Sequence, residues 1–257
     1  MARTIVRTVQ IGLLLACTLC IAPMLQAQGG PPLLTDDPGT PGNRNWEFNF
    51  AATVEKATDE TLWEAPLLDI NYGLGSRLQL KFEIPVLILE QRGVPSTAAV
   101  GNSLVGVKWR FRDEATGAAN ISIYPQLEFN NPGPSVDHGL VERGVQFLLP
   151  VQIQRTVGPV DLNMEAGYNF AQYQRDGWLL GMAFGRELTP RIELLGEVHG
   201  SDNFSGTDRA VVFDIGGRWK LSERYVLLTM AGRSFRGAAS GEPQFFAYAG
   251  IQFNFAK

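Results

Sequence analysis

Cysteine is almost missing from this 257-residue chain, and both copies, Cys17 and Cys20, lie within residues 1–27. If that stretch is removed, the remaining chain has no disulfide, no thiol nucleophile and no cysteine-based metal site. Histidine is nearly as scarce, with His138 and His199 the two copies. Beyond the first residues no apolar run reaches the roughly 18 residues of a membrane helix, although 45% of residues are hydrophobic. A helical membrane bundle is therefore excluded. There is no excess of basic residues either. The chain has 22 basic and 26 acidic residues, net −4. Loss of a leader holding Arg3 and Arg7 and no acid leaves 20 against 26, net −6. No basic patch stands out, so nucleic acid is not an expected partner.

What is present begins with a leader. Arg3 and Arg7 form a basic start, Ile11 to Met24 is largely apolar, and Leu25-Gln26-Ala27 is a cleavage-site pattern. Residues 1–27 read as a secretory signal peptide. Leu14-Leu15-Ala16-Cys17 is close to a lipoprotein box, but the residues after Cys17 stay apolar instead of opening into a polar tether. Residues 28–45 form a periplasmic N-terminal segment rich in Gly and Pro. In it Thr35-Asp36-Asp37-Pro38 predicts a turn, because Asp can bond its own backbone. The adjacent carboxylates are also a weak cation site.

From Trp46 to the end, residues 46–257, apolar and polar residues alternate with the period of two expected of strands. The hairpin Leu67 to Pro85 sets the pattern. Leu68, Ile70 and Tyr72 oppose Asp69 and Asn71, and Leu78, Leu80, Phe82 and Ile84 oppose Gln79, Lys81 and Glu83. Roughly twelve such strands follow from Trp46–Lys56 to a last strand carrying Phe245, Ala249, Ile251, Phe253 and Phe255. Only the eleventh, Tyr225 to Phe235, is ambiguous, since both its faces are largely apolar. Short connections near 73–77, 113–117, 156–159, 188–191 and 221–224 alternate with longer ones near 90–101, 131–143, 201–208 and 236–244. The prediction is an all-β transmembrane antiparallel barrel, with short periplasmic turns, longer outer loops and both termini periplasmic.

Alternation alone does not say which face meets lipid. Strand length is about twice the roughly 5–6 residues usual in globular proteins. Trp46, Trp63, Trp109, Trp178 and Trp219 all fall near predicted strand ends, as in a membrane-interface girdle. The C-terminal strand resembles the assembly signal read by the barrel-insertion machinery, although Ala256 and Lys257 follow its last aromatic.

The motifs Thr35-Asp36-Asp37-Pro38, Trp46-Glu47 and Asp69-Ile70-Asn71-Tyr72-Gly73-Leu74-Gly75, with Ile84-Pro85, Gly106-Val107-Lys108-Trp109 and Leu149-Pro150, resemble the outer-membrane family named for the MetA pathway of phenol degradation. Its members are labelled as transporters. The resemblance covers most of the mature chain and implies an outer-membrane barrel. It carries no catalytic role onto any residue.

With apolar faces outward, the lumen would hold Glu47, Asp69, Lys81, Glu83, Lys108, Arg110, Glu128, Asp161, Glu165, Glu193, Glu197, Asp214, Arg218 and Lys220. These line a water-filled path, or they pair and plug a barrel that is only a scaffold. Twelve strands lie between the side-chain-filled eight and the open sixteen. The best catalytic candidates are His199 and Ser201, two apart on one strand face, so that His could activate Ser as in outer-membrane acyl hydrolases. Against this, His199 should face the lumen, away from lipid. His138 with Asp137 is a weak metal candidate. The expected function is a passive outer-membrane route for small molecules, hydrophobic or aromatic ones among them. A closed structural or surface-interaction barrel is the alternative, and an acyl hydrolase the third reading. No cofactor and no metal are expected; the partners are outer-membrane lipid, the solute and the insertion machinery.

Overall fold

The computed structural model describes residues 30–203, 209–235 and 244–256. The signal peptide and most of the expected connections 201–208 and 236–244 lie outside the described residues. Among the described residues there are fourteen strand segments: β1 (Trp46–Lys56), β2 (Glu60–Leu74), β3 (Leu78–Gln91), β4 (Thr97–Val100), β5 (Ser103–Arg112), β6 (Asn120–Ile123), β7 (Gln126–Phe129), β8 (Val145–Val157), β9 (Val160–Ala171), β10 (Gly177–Thr189), β11 (Ile192–Asn203), β12 (Arg209–Lys220), β13 (Tyr225–Ser234) and β14 (Phe245–Phe255). Each pairs antiparallel with its neighbours, and β1 closes onto β14 from Trp46↔Phe255 to Lys56↔Phe245. The sheet has no free long edge.

Fourteen segments make twelve barrel strands because two strands are broken. β4 pairs with residues 86–89 of β3 and β5 with residues 78–83, so the two are one strand interrupted at Gly101-Asn102. β6 and β7 likewise share β8, with the interruption at Tyr124-Pro125. Pro125 has no N–H to donate, so the ladder cannot run through it. At the first break, the Asn131 amide donates to the Gly101 carbonyl (2.6 Å) and its oxygen accepts from the Ser103 hydroxyl (3.1 Å), which bridges the gap. The predicted long connection 90–101 is shorter than expected. β3 continues to Gln91 and β4 starts at Thr97, because Val86 to Leu89 find Thr97 to Val100 as cross-strand partners. A sequence window does not show that pairing.

Burial is inverted relative to a soluble protein. Phe50, Met182 and Ile215 are each about half exposed, while Asn49, Gln152 and Asp214 are almost wholly buried. Apolar side chains point outward and polar ones inward on the same strands, the pattern of a barrel whose solvent outside is hydrocarbon. Strand length agrees. The 13 residues of β8 span ~43 Å at ~3.3 Å per residue, and a ~40° tilt leaves ~33 Å across the barrel wall.

One sector of the inside departs from this rule. Ala51, Leu67, Ala183, Leu195, Leu228, Met230, Phe246 and Tyr248 form a buried apolar cluster, with Val226 packed against it. It accounts for the ambiguity of the eleventh strand. β13 faces the outside with Leu227 and the inside with Val226, Leu228 and Met230, so both of its faces are apolar.

Candidate functional site: the occupied lumen

Gly30 to Asn45 runs inside the barrel. Its path can be followed from contact to contact. The Arg218 guanidinium on β12 donates to the carbonyls of Pro31 (2.9 Å) and Gly30 (3.2 Å). Leu33 packs into the apolar cluster. The Glu197 carboxylate on β11 accepts the consecutive backbone N–H groups of Leu34 and Thr35, both at 2.7 Å. Thr35 lies directly on Gly181 of β10, where any Cβ would collide with its hydroxyl. Glu165 on β9 accepts the Asp36 N–H (3.0 Å), and Lys108 on β5 pairs with the Asp36 carboxylate (2.8 Å). The segment leaves past Arg110, which approaches the Pro38 carbonyl (3.5 Å), and ends with a backbone bond from Arg44 to Gly73 (2.8 Å).

The predicted turn at Thr35–Pro38 is present. The Asp37 N–H donates to Asp36 Oδ1 (2.7 Å), and the Gly39 N–H to Asp37 Oδ1. The cation that Asp36 meets is the Lys108 ammonium. Burial alone would raise the Asp36 carboxyl, but Lys108 and Lys81 outweigh it and hold the group below its ordinary range. Burial pushes Asp37 up, against Lys108 at 4.0 Å. Asp36 is therefore the better-held anion of the two.

The acidic and basic residues predicted for the lumen lie on inner faces, mostly paired with one another or with amides. Glu47 accepts from Asn49 (3.0 Å) and Gln252 (2.9 Å). Asp69 accepts from Asn49 (3.0 Å) and Asn71 (3.1 Å) and lies 3.6 Å from Lys81, which also pairs with Glu83 (2.8 Å). Arg110 pairs with Asp113 (2.8 Å), and Glu128 accepts from Asn102 (2.6 Å). Asp161 accepts from Thr156 (2.6 Å), and Glu165 from Gln152 (2.8 Å). Arg218 pairs with Glu193 (3.2 Å), and Lys220 with Glu223 (3.1 Å). Asp214 stands beside Glu197 in register, fully buried. Sequence reasoning put polar residues such as Asn71 and Gln79 on the same faces but missed the bonds that knit these charges together, such as Gln79 on Asn71 (2.7 Å) and Ser122 on Gln152 (2.6 Å). It also missed the inner apolar sector.

The segment divides the lumen. A cavity of about 380 Å³ opens at the end where β1 begins and β14 finishes, lined by residues including Trp46, Glu193, Arg218, Lys220 and Asn254. A second, about 310 Å³, opens at the far end against Gln126, Glu128, Gln146, Asn169, Arg175 and Ser201. A small cavity of about 40 Å³ lies beside Asp36, Lys81, Lys108 and Tyr124.

Trp46, Trp109 and Trp219 sit on the outside near the first of these ends, with Trp46 against Tyr72 (ring centroids 4.5 Å) and Tyr225 against Phe253 (5.2 Å). Trp63 and Trp178 sit toward the other end, Trp178 opposite Tyr168. His199 alternates with Glu193 and Glu197 on the inner face of β11, and no described hydrogen bond joins it to Ser201. Ser201 lines the far cavity. His138 and Asp137 are exposed in the 130–144 connection. Among the described residues no group of three metal-ligating side chains gathers.

No family model matches the sequence, and no curated protein matches it. Solved structures do. The COG4313 outer membrane channel from Pseudomonas putida F1 superimposes with a TM-score of 0.66 at 15% identity, covering 88% of this chain and 99% of that one. The NanC porin gives 0.59 at 6% identity, over 82% of this chain and 100% of that one. The KdgM porin gives 0.54 at 10%, over 82% and 99%. At such identities what is shared is the architecture: this chain has the closed antiparallel barrel fold of those outer-membrane proteins.

Proposed function

We propose that the chain is an outer-membrane barrel that gives small molecules a passive route, with both termini in the periplasm and with Gly30–Asn45 acting as a plug at its waist. The observation that carries this reading is the pair of cavities, about 380 and 310 Å³, at the two ends of one polar-lined lumen. They are separated by a chain segment held by wall side chains such as Arg218, Glu197 and Lys108. A barrel meant only as a scaffold could fill its waist from the strands, as eight-stranded barrels do. The outer-membrane channel and porins with the same fold support the reading. The charged lumen residues line the path, and the five tryptophans mark its two membrane interfaces.

The resemblance to the MetA-pathway family adds hydrophobic or aromatic solutes, and the apolar sector around Leu195, Leu228 and Met230 offers them a wall. The closed-lumen scaffold is the second reading, favoured by the near-complete burial of Thr35, Glu197 and Gln152 at the waist. Hydrolysis is not part of the proposal, since His199 faces the lumen and no described hydrogen bond joins it to Ser201.

Single-channel recording of the refolded mature chain in a planar bilayer separates the readings. Discrete steps whose ion selectivity changes with Lys108→Glu or Glu193→Lys are expected. A barrel that shows heat-modifiable mobility on a gel but never conducts sinks the passive route and leaves the scaffold.

A further inference from the structure

Of the five cations predicted for the lumen, four have carboxylates supplied by the wall or its turns. Lys81 has Asp69 and Glu83, Arg110 has Asp113, Arg218 has Glu193 and Lys220 has Glu223. Lys108 differs. Among the described residues its carboxylates are Asp36 at 2.8 Å and Asp37 at 4.0 Å, and both belong to the plug. Its ammonium lies 4.7 Å from the centre of the Tyr124 ring, and only 3% of its side chain is exposed. When the plug leaves, the wall keeps a cation over an aromatic face with no described wall carboxylate within 4 Å. Such a charge demands a partner.

A second contact belongs to the same short stretch. Leu33 fills the apolar cluster against Leu67, Leu195, Leu228 and Met230. Leu33 and Asp36 are three residues apart, so their Cα atoms are separated by at most about 10 Å. The plug thus presents an apolar group and a carboxylate, spaced as on a small molecule, to a wall with an apolar sector and a cation whose carboxylates within 4 Å are the plug's own.

We infer that Lys108 and the apolar sector form a binding site for a small amphipathic monocarboxylate, which the plug occupies with Asp36 and Leu33 as a built-in substitute. The site rests on the reading of the lumen as a solute path. An incoming carboxylate pairs with Lys108 in place of Asp36, and its apolar body takes the place of Leu33. Solute binding and plug release are then one exchange.

The test is calorimetric titration of sodium benzoate into the complete mature barrel, folded in detergent. Asp36→Asn removes the nearer of the two competing carboxylates and is expected to tighten benzoate binding at least about tenfold over the unsubstituted barrel. Adding Lys108→Met to that variant is expected to abolish binding. Equal binding with and without Lys108, or none in the Asp36→Asn barrel, overturns the inference. If Asp36→Asn yields no heat-modifiable folded band, the unsubstituted barrel is titrated at high benzoate beside its Lys108→Met variant. The weak binding must then vanish with Lys108, and persistent binding or no binding at all overturns the inference. Calorimetry does not depend on ion flow. A barrel that conducts without binding benzoate therefore refutes this site alone, and one that binds but never conducts refutes the channel alone.

Discussion

Glu197 is the residue on which plug docking depends most directly. A carboxylate that accepts two consecutive backbone N–H groups at 2.7 Å makes two charge-assisted bonds inside a buried lumen. Glutamine keeps the shape but has one acceptor oxygen, and its NH₂ would face an N–H donor. Glu197→Gln should weaken docking by ~1–3 kcal/mol, or roughly five- to 150-fold in the docked-to-free ratio. The expected readout is a matching rise in open probability in single-channel records, with unit conductance unchanged. An open probability equal to that of the unsubstituted barrel would show that Glu197 does not hold the plug. Gly181 makes the same point by steric means. Thr35 sits where any side chain would go, so Gly181→Leu should leave the plug undocked while heat-modifiable mobility persists. In the sequence, Thr35-Asp36-Asp37-Pro38 was legible as a turn. Its partners were not, because Glu197 and Lys108 are distant in the chain and nothing local links them to it.

At the scale of the element, the two broken strands are the informative feature. Twelve strands were readable from alternation, and the first strand has the expected bounds. The break at Gly101-Asn102 was not, since it depends on a bridge from Asn131 some thirty residues on. Removing both bonds of that bridge with Asn131→Ala should cost ~1–3 kcal/mol and lower the midpoint of heat-modifiable unfolding by several degrees. An unchanged midpoint would mean that the break is held by the Gly101–Pro85 backbone bond (2.9 Å) alone. β13 is the other lesson. Period-two reasoning assumes that one face is polar, and a strand whose inner face joins an apolar sector gives it nothing to read.

For the molecule as a whole, the decisive property is which face meets lipid. Met182 is half exposed near the middle of β10. If its surroundings are hydrocarbon, Met182→Arg should cost ~2–4 kcal/mol, read as a lower urea midpoint for folding into phospholipid vesicles. In a soluble barrel the same exposed substitution would change stability by no more than about 0.5 kcal/mol. A loss below that level would remove the membrane reading.

The sequence by itself determined the all-β class, the approximate strand number, the alternation of inner and outer faces and the positions of most turns. Each of these is a local property, set by the two-residue period of a strand and by the chemistry of Gly, Asp and Pro in turns. It also identified which charges share the inner face, because they follow from the same parity. Only the tertiary structure decided what fills the lumen. The contacts of Leu33, Thr35 and Asp36 join the plug to β5, β9, β11 and β13, pairings across 72 to more than 160 positions that arise when the sheet closes. Closure brings unrelated strands around one small volume, and what that volume can accept depends on all of them at once.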